Sequence, residues 1–340
     1  MSIMKKPPLR NRKEIKIFAK KFEKIVNEGS EFLIITHPNP DCDAVGSSLA
    51  LWYFLNEKKK KAKIVLPNQP IVNANFLPNY YKAVKIMLLK NGSFFKFDKC
   101  FLLDLGDLKR LNFKTRLKLT NCVNIDHHFD NQIKAKLNFV DSSYFGVSEI
   151  LLDLFLFLNL NLNKTLATCL LFGIFGDTEY FQSPKMDSLI FQKISYLLTK
   201  NADLSSIILN VLRSYNISQF KLWAKALKNF QIDKQRKFAW TKISLKQIKS
   251  SKAKQSDRQP LANNFARAVR ETKFGFVAAE EKPNSWKISI RSREPNCDVQ
   301  KIAAKLGGGG HQTSASFKLN GKYNQILKKI FSVISKHSSV

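Results

Sequence analysis

Short apolar runs alternate with helical periodicities through the first half of the chain. The runs FLIIT (32–36), KIVL (63–66), KCFLLDL (99–105) and NCVNID (121–126) read as strands, while apolar residues recur at helical spacing over about 44–56, 148–158 and 165–176. Strands separated by helices predict a mainly parallel sheet flanked by helices, and such sheets bind ligands at the carboxyl ends of their strands. From 186 to 230 the pattern is helical and free of glycine. Beyond it come strand-like runs at 237–244, 273–281, 285–292 and 311–319, a polar lysine- and serine-rich loop at 246–259, helices near 260–271 and 298–306, four glycines at 307–310 and a terminal helix.

A chain of 340 residues exceeds the usual size of a single core. The pattern therefore predicts a two-domain α/β protein: an N-terminal domain over 1–200, a helical linker over 201–235 and a smaller α/β domain over 236–335. No repeat of fixed period is visible. The most apolar stretch, 150–162, is interrupted by Asp153 and Asn159 and falls short of a bilayer span, so it reads as a buried helix. The basic amino terminus is followed by no apolar segment, which speaks against a secretory signal and for a cytoplasmic protein without a membrane partner. Five scattered cysteines without a C-x-x-C pair argue for reduced thiols.

Net charge changes the picture. The excess of 57 Lys and Arg over 26 Asp and Glu, +31, attracts polyanions and favours a phosphate-ester substrate. Base composition of the gene is a competing source of lysine, and runs such as Lys58 to Lys61 are ordinarily solvated.

Of the five histidines, four follow strand-like or glycine-rich segments and only His337 lies in the tail. In HPNPDCDAVGS, Asp41 and Asp43 on an extended loop would point to opposite sides and offer oxygens to two neighbouring cations, with His37 adding a nitrogen. With equal weight, Asp43 caps a helix beginning at Ala44, residues 39–41 form a turn and His37 closes a strand. Asp104 ends a very apolar strand, where an unpaired charge is costly unless it meets a cation; Asp107 reads as a cap. In NIDHHFDN one histidine can bind a metal while its neighbour faces substrate, and Asp126 can fix an imidazole tautomer. Asp177 ends an apolar helix, with capping as its alternative. In the second half, Gly308, Gly309 and Gly310 let amides approach an anion, His311 follows them, and Arg291 ends the preceding strand, together a candidate phosphate clamp.

These motifs, in this order over about 30–330, resemble those of the DHH–DHHA1 phosphoesterase family: HPNPDCDAVGS, LLDLGD, DHH and GDTEYF for the first domain, RS at 291–292 and GGGGH at 307–311 for the second. The resemblance implies two divalent cations, manganese in particular, one on His37, Asp41 and Asp104 and the other on Asp43, Asp104, His127 and Asp177, with Asp104 bridging. It implies that His128, with Asp126, serves the scissile phosphate as the catalytic pair, and that Arg291, Ser292, Gly308 to Gly310 and His311 contact substrate. Cys42 stands where the family often has glycine, and Glu179 departs from the usual start of the fourth motif. The compact two-domain form is similar to the oligoribonuclease/pAp phosphatases, which act on short RNA oligonucleotides and nucleotide phosphates; a homodimer is compatible with this form. The alternatives are a cyclic-di-AMP or pApA phosphodiesterase of the same family, a RecJ-like single-strand exonuclease, and a non-catalytic nucleic-acid binder.

Overall fold

The computed structural model describes residues 5–86, 97–111, 117–294 and 296–336, without the side chains of Gln255, Ser256, Gln259 and His311. The chain divides into two compact units, Met1–Ser214 and Tyr215–Val340.

The first unit runs α1 (Arg12–Glu28), β1 (Glu31–Ile35), α2 (Cys42–Glu57), β2 (Lys61–Leu66), α3 (Tyr80–Ala83), β3 (Val84–Ile86), β4 (Lys99–Leu103), β5 (Cys122–Asp126), β6 (Leu137–Val140), α4 (Val147–Phe157), α5 (Lys164–Asp177), α6 (Ser188–Thr199) and α7 (Leu204–Leu212). Its six strands form one parallel sheet in the order β3-β2-β1-β4-β5-β6. The order reverses between β1 and β4, and the carboxyl ends beside such a reversal are where α/β sheets hold ligands. Alternation along the strands sends Ile34, Phe101, Leu103 and Val123 to the helical core and Leu33, Ile35, Cys100 and Leu102 to the opposite face, against Leu105, Leu111 and Ile133. Helix α1, which the pattern above does not include, buries Ile15, Phe18, Phe22 and Ile25 along one stripe, with the Phe22 ring 5.6 Å from that of Phe101. Helices α2 and α5 cross closely at Gly46 and Gly173: a Cβ on Gly46 would lie 2.6 Å from the Cys169 carbonyl oxygen. That crossing brings the start of α2 beside α5.

The second unit runs α8 (Ile217–Leu227), β7 (Gln231–Asp233), β8 (Phe238–Ile243), α9 (Leu245–Ser250), α10 (Gln259–Phe265), β9 (Phe274–Lys282), β10 (Ser285–Ser292), α11 (Val299–Lys305), β11 (Gly309–His311), β12 (Ser314–Asn320) and α12 (Tyr323–Ser335). Its mixed sheet has the order β11-β12-β10-β9-β8-β7, parallel only between β8 and β9. Residues 201–235 thus contribute α7 to the first unit and α8 and β7 to the second. The stretch expected to be a polar loop starts as helix α9, because Ser244 and Gln247 close a capping box that satisfies its first amides. The glycine run has a backbone explanation as well. Gly307, at φ 77°, ends α11 with the Gly308 amide donating to the Ala303 carbonyl at 2.9 Å, and Gly309–His311 then forms an edge strand against β12. Among the described residues no helix is long and apolar enough to cross a membrane.

Candidate metal centre

Five strand or helix ends deliver the site of the first unit. His37 follows β1, Asp41 and Asp43 open α2, Asp104 follows β4, Asp126, His127 and His128 close and follow β5, and Asp177 ends α5. Helix α2 starts at Cys42, earlier than the periodicity suggests, which corrects the reading of Asp41 and Asp43 as alternate residues of an extended loop. Asp41, not Asp43, is the cap: its Oδ1 accepts from the amides of Asp43 and Ala44, each at 3.1 Å. Asp43 instead reaches α4, where its Oδ2 accepts from the Val147 amide at 2.6 Å and its Oδ1 from the Ser148 amide at 2.8 Å. The unsatisfied amides of a helix start are a natural grip for a carboxylate. Sequence reading missed this grip.

The polar groups converge on Asp104. His37 Nε2 lies 3.1 Å from Asp104 Oδ2 and 3.7 Å from Asp41 Oδ2; His127 Nε2 lies 3.5 Å from Asp104 Oδ1 and 3.3 Å from Asp177 Oδ2. His128 Nδ1 lies 2.8 Å from Asp126 Oδ1 and 3.6 Å from Asp104 Oδ1. Three overlapping sets each present one ligand atom per residue, all within 4.8 Å of one another: His37, Asp41 and Asp104; Asp43, His127 and Asp177; and Asp104, Asp126, His127 and His128. Asp104 Oδ1 is buried without a hydrogen-bond donor. A buried anionic oxygen without a donor is satisfied by a cation, so the donor set fits divalent metal. His37 Nδ1 is 2.8 Å from the Pro38 carbonyl oxygen, to which it donates, leaving Nε2 directed at the carboxylates.

Charge is crowded here. Burial pulls the imidazole of His37 down, but the neighbouring Asp104 carboxylate overrides it and holds His37 well above its usual range. The same opposition leaves His127 at about 9. Burial would raise Asp104, yet the two imidazoles beside it hold it well below the usual carboxylate range. Asp43 is raised to about 7 by burial and then by Asp104, and Asp177 is raised well above its usual value by burial and then by Asp43. Protons thus occupy a cluster whose carboxylates repel one another. Cys42, buried between two of them, is held as an unreactive thiol by burial first.

Gly146 is a second feature missed in the sequence. A Cβ on it would lie 2.7 Å from Asp177 Oδ2 and 2.8 Å from both Cγ and Oδ2 of Asp43. Only a residue without a side chain fits between these carboxylates. The signal was present as a glycine directly before an apolar helix. After Asp177, residues Glu179, Tyr180 and Phe181 are consecutively left-handed, at φ 52°, 63° and 65°.

In the second unit Arg291 is buried on β10. Its Nη1 donates to the carbonyls of Ile290 at 2.9 Å and Ala315 at 3.3 Å, and its Nε to Asn263 Oδ1 at 2.8 Å. The Ser292 hydroxyl donates to the Glu294 carbonyl oxygen and its amide to that of Thr313. Gly308 lies against β12, where a Cβ would meet the Ser316 carbonyl oxygen at 2.2 Å, whereas Gly309 has open space around it and Gly310 has φ 143°. His311 ends β11, and its side chain lies outside the described residues.

Residues 31–174 match the DHH family, N-terminal domain, and residues 236–336 match the DHHA1 domain. The chain carries a DHH domain followed by a DHHA1 domain. This DHH–DHHA1 chain is 26% identical over 306 residues to the bifunctional oligoribonuclease and PAP phosphatase NrnA of Thermus thermophilus, covering 87% of this chain and 88% of that protein. It is 24% identical over 328 residues to the cyclic-di-AMP phosphodiesterase GdpP of Bacillus subtilis, covering 92% of this chain but 48% of the relative. Its fold matches that of an exopolyphosphatase-related protein from Bacteroides fragilis with a TM-score of 0.88 at 22% identity, covering 95% and 97% of the two chains.

Proposed function

We propose that this DHH–DHHA1 chain is a metal-dependent phosphoesterase that hydrolyses short oligoribonucleotides and 3′-phosphoadenosine 5′-phosphate (pAp). The observation that carries the reading is the pair of ligand sets on either side of Asp104, whose Oδ1 is buried without a donor. His37, Asp41 and Asp104 would hold one divalent cation and Asp43, Asp104, His127 and Asp177 a second. Mixed carboxylate and imidazole donors suit manganese. Such a pair, when bound, would lower the pKa of a water and neutralise charge on the phosphoryl oxygens.

The chain's own groups do the rest. Asp104, a member of the first set with its Oδ1 3.5 Å from His127 Nε2 of the second, would serve both and so fix their separation. The Val147 and Ser148 amides hold Asp43 in place. Asp126, fully buried, accepts from His128 Nδ1 and from the His127 amide, each at 2.8 Å, and from the Asn131 side chain. With Nδ1 committed to that carboxylate, His128 presents Nε2 to pass a proton to the leaving oxygen. Arg291, Ser292, Gly308 to Gly310 and His311 belong in this reading to substrate affinity rather than to bond cleavage.

Relatives named for oligoribonuclease and pAp phosphatase activities, matched over most of both chains, favour short nucleotides. The relative named for cyclic-di-AMP cleavage supports a second reading with the same chemistry. A turnover panel with manganese separates them: pAp, di- to pentaribonucleotides, cyclic-di-AMP and a long single strand. Release of phosphate from pAp and of mononucleotides from the short RNAs is expected, abolished by chelator and restored by manganese. Dominant cyclic-di-AMP cleavage would replace the first reading by the second. Full turnover in His128→Ala at unchanged metal content would remove the proton role from His128.

A further inference from the structure

Loop 141–146, between β6 and α4, ends on Gly146 and on the amides that grip Asp43. It is held from an unexpected direction. Arg10 and Asn11 precede α1, outside the segment that matches the DHH domain. Asn11 Nδ2 donates to Asp141 Oδ2 at 3.0 Å, and the Asp141 amide donates to the Asp126 carbonyl oxygen at 3.1 Å. Arg10 acts just beyond the other end of the loop, on α4 and the start of α6: its Nε donates to Glu149 Oε1 at 2.8 Å, its Nη1 to Asp187 Oδ2 at 2.7 Å and its amide to Asp153 Oδ2 at 2.8 Å. Glu149 in turn accepts from the Phe145 amide at 2.9 Å, and Tyr144 donates to Asp153 at 3.0 Å. Lys193 completes the network, 2.7 Å from both Glu149 and Asp153, with all three side chains fully buried.

We infer that Arg10 and Asn11 are positioning residues for the metal centre: the segment before α1 straps loop 141–146 to the start of α4 and thereby fixes Asp43 on one side and the strand end bearing Asp126 on the other. Buried, hydrogen-bonded charges of this kind hold one geometry because any other leaves a charge unpaired. The bearing on catalysis rests on the function proposed above; the strap itself does not.

Arg10→Met and Asn11→Ala in the full chain test it, with Val84→Ala on β3, at the opposite edge of the sheet from β6, as a control for general destabilisation. Amide hydrogen exchange comes first. Arg10→Met should speed exchange at Val147 and Ser148 relative to both the unaltered chain and Val84→Ala; unchanged protection overturns the strap. Manganese affinity by calorimetry should fall about tenfold in Arg10→Met, the lower end for groups that orient metal ligands, with partial recovery in Arg10→Lys. An equal fall in Val84→Ala overturns the link to the centre. If the unaltered chain binds no manganese, the functional reading fails, and exchange at the two amides still decides the strap.

Discussion

Replacing Gly146 by alanine isolates the packing of the two carboxylates. Its φ of −164° is extended backbone that alanine adopts freely, so the substitution adds a methyl group and no backbone strain. The methyl carbon would stand 2.7 Å from Asp177 Oδ2 and 2.8 Å from Asp43 Oδ2. Ordinary contact requires about 3.5 Å, so the carboxylates or the loop must give by roughly 0.7 Å. Asp43 has little room, being tied to two amides and buried. Overpacking of this size lowers stability by about 1–3 kcal/mol. A displacement approaching 1 Å in a reacting constellation costs on the order of 100-fold in rate. Gly146→Ala should therefore fold, melt somewhat lower, and lose about two orders of magnitude in manganese-dependent turnover. Gly309→Ala, where nothing lies within 4 Å of the new methyl, should leave the melt and metal binding unchanged. Calorimetric titration with manganese and initial rates on pAp provide the assay. Unaltered metal affinity and turnover in Gly146→Ala would refute the placement of Asp43 and Asp177 in one centre.

Metal binding should depend on pH in a definite direction: with His127 at about 9 and Asp43 at about 7, both hold protons near neutrality that a cation must displace, so affinity rises as pH climbs through 7 towards 9. Titrations in buffers of different ionisation enthalpy should show proton release at pH 7, and equal heats in all buffers would count against it. Lys193→Met should destabilise the first unit by about 3–5 kcal/mol, read from urea unfolding, because it strips a cation from two fully buried carboxylates; a loss under 1 kcal/mol would show the network to be open to water. Glu179→Gly should raise the urea midpoint, since a left-handed non-glycine residue costs about 1–2 kcal/mol and the added chain freedom of glycine recovers only part of that. A lowered midpoint would mean that the Glu179 side chain stabilises the turn by more than its backbone costs.

The strands and helices that frame the centre were legible because buried strands and amphipathic helices leave periodic traces, and because the ligands sit at strand ends where a parallel sheet gathers them. What was not legible depends on contacts remote in sequence. Asp43 gave no sign of seeking the amides of 147 and 148, and nothing in the spacing of Arg10, Glu149 and Lys193 shows that folding sets them against one another. Helix α1 is a different case: Ile15, Phe18, Phe22 and Ile25 do recur at helical spacing, but dense lysines between them mask the apolar stripe. Likewise Ser244, at the end of the expected strand, and Gln247, in the expected loop, form the capping box that starts α9. The short strands β3 and β6 offer too few residues for any period to be read.

The grip on Asp43 joins residues 104 and 105 positions apart, and the cluster closes only when Asp177 arrives at the end of α5. No nascent or truncated chain lacking that helix can assemble it. An ion that recognises the finished cluster and ignores the open chain adds to the native state by mass action, so the unfolding temperature should climb with cation concentration, and starvation for the ion would be felt first as fragility of the first unit.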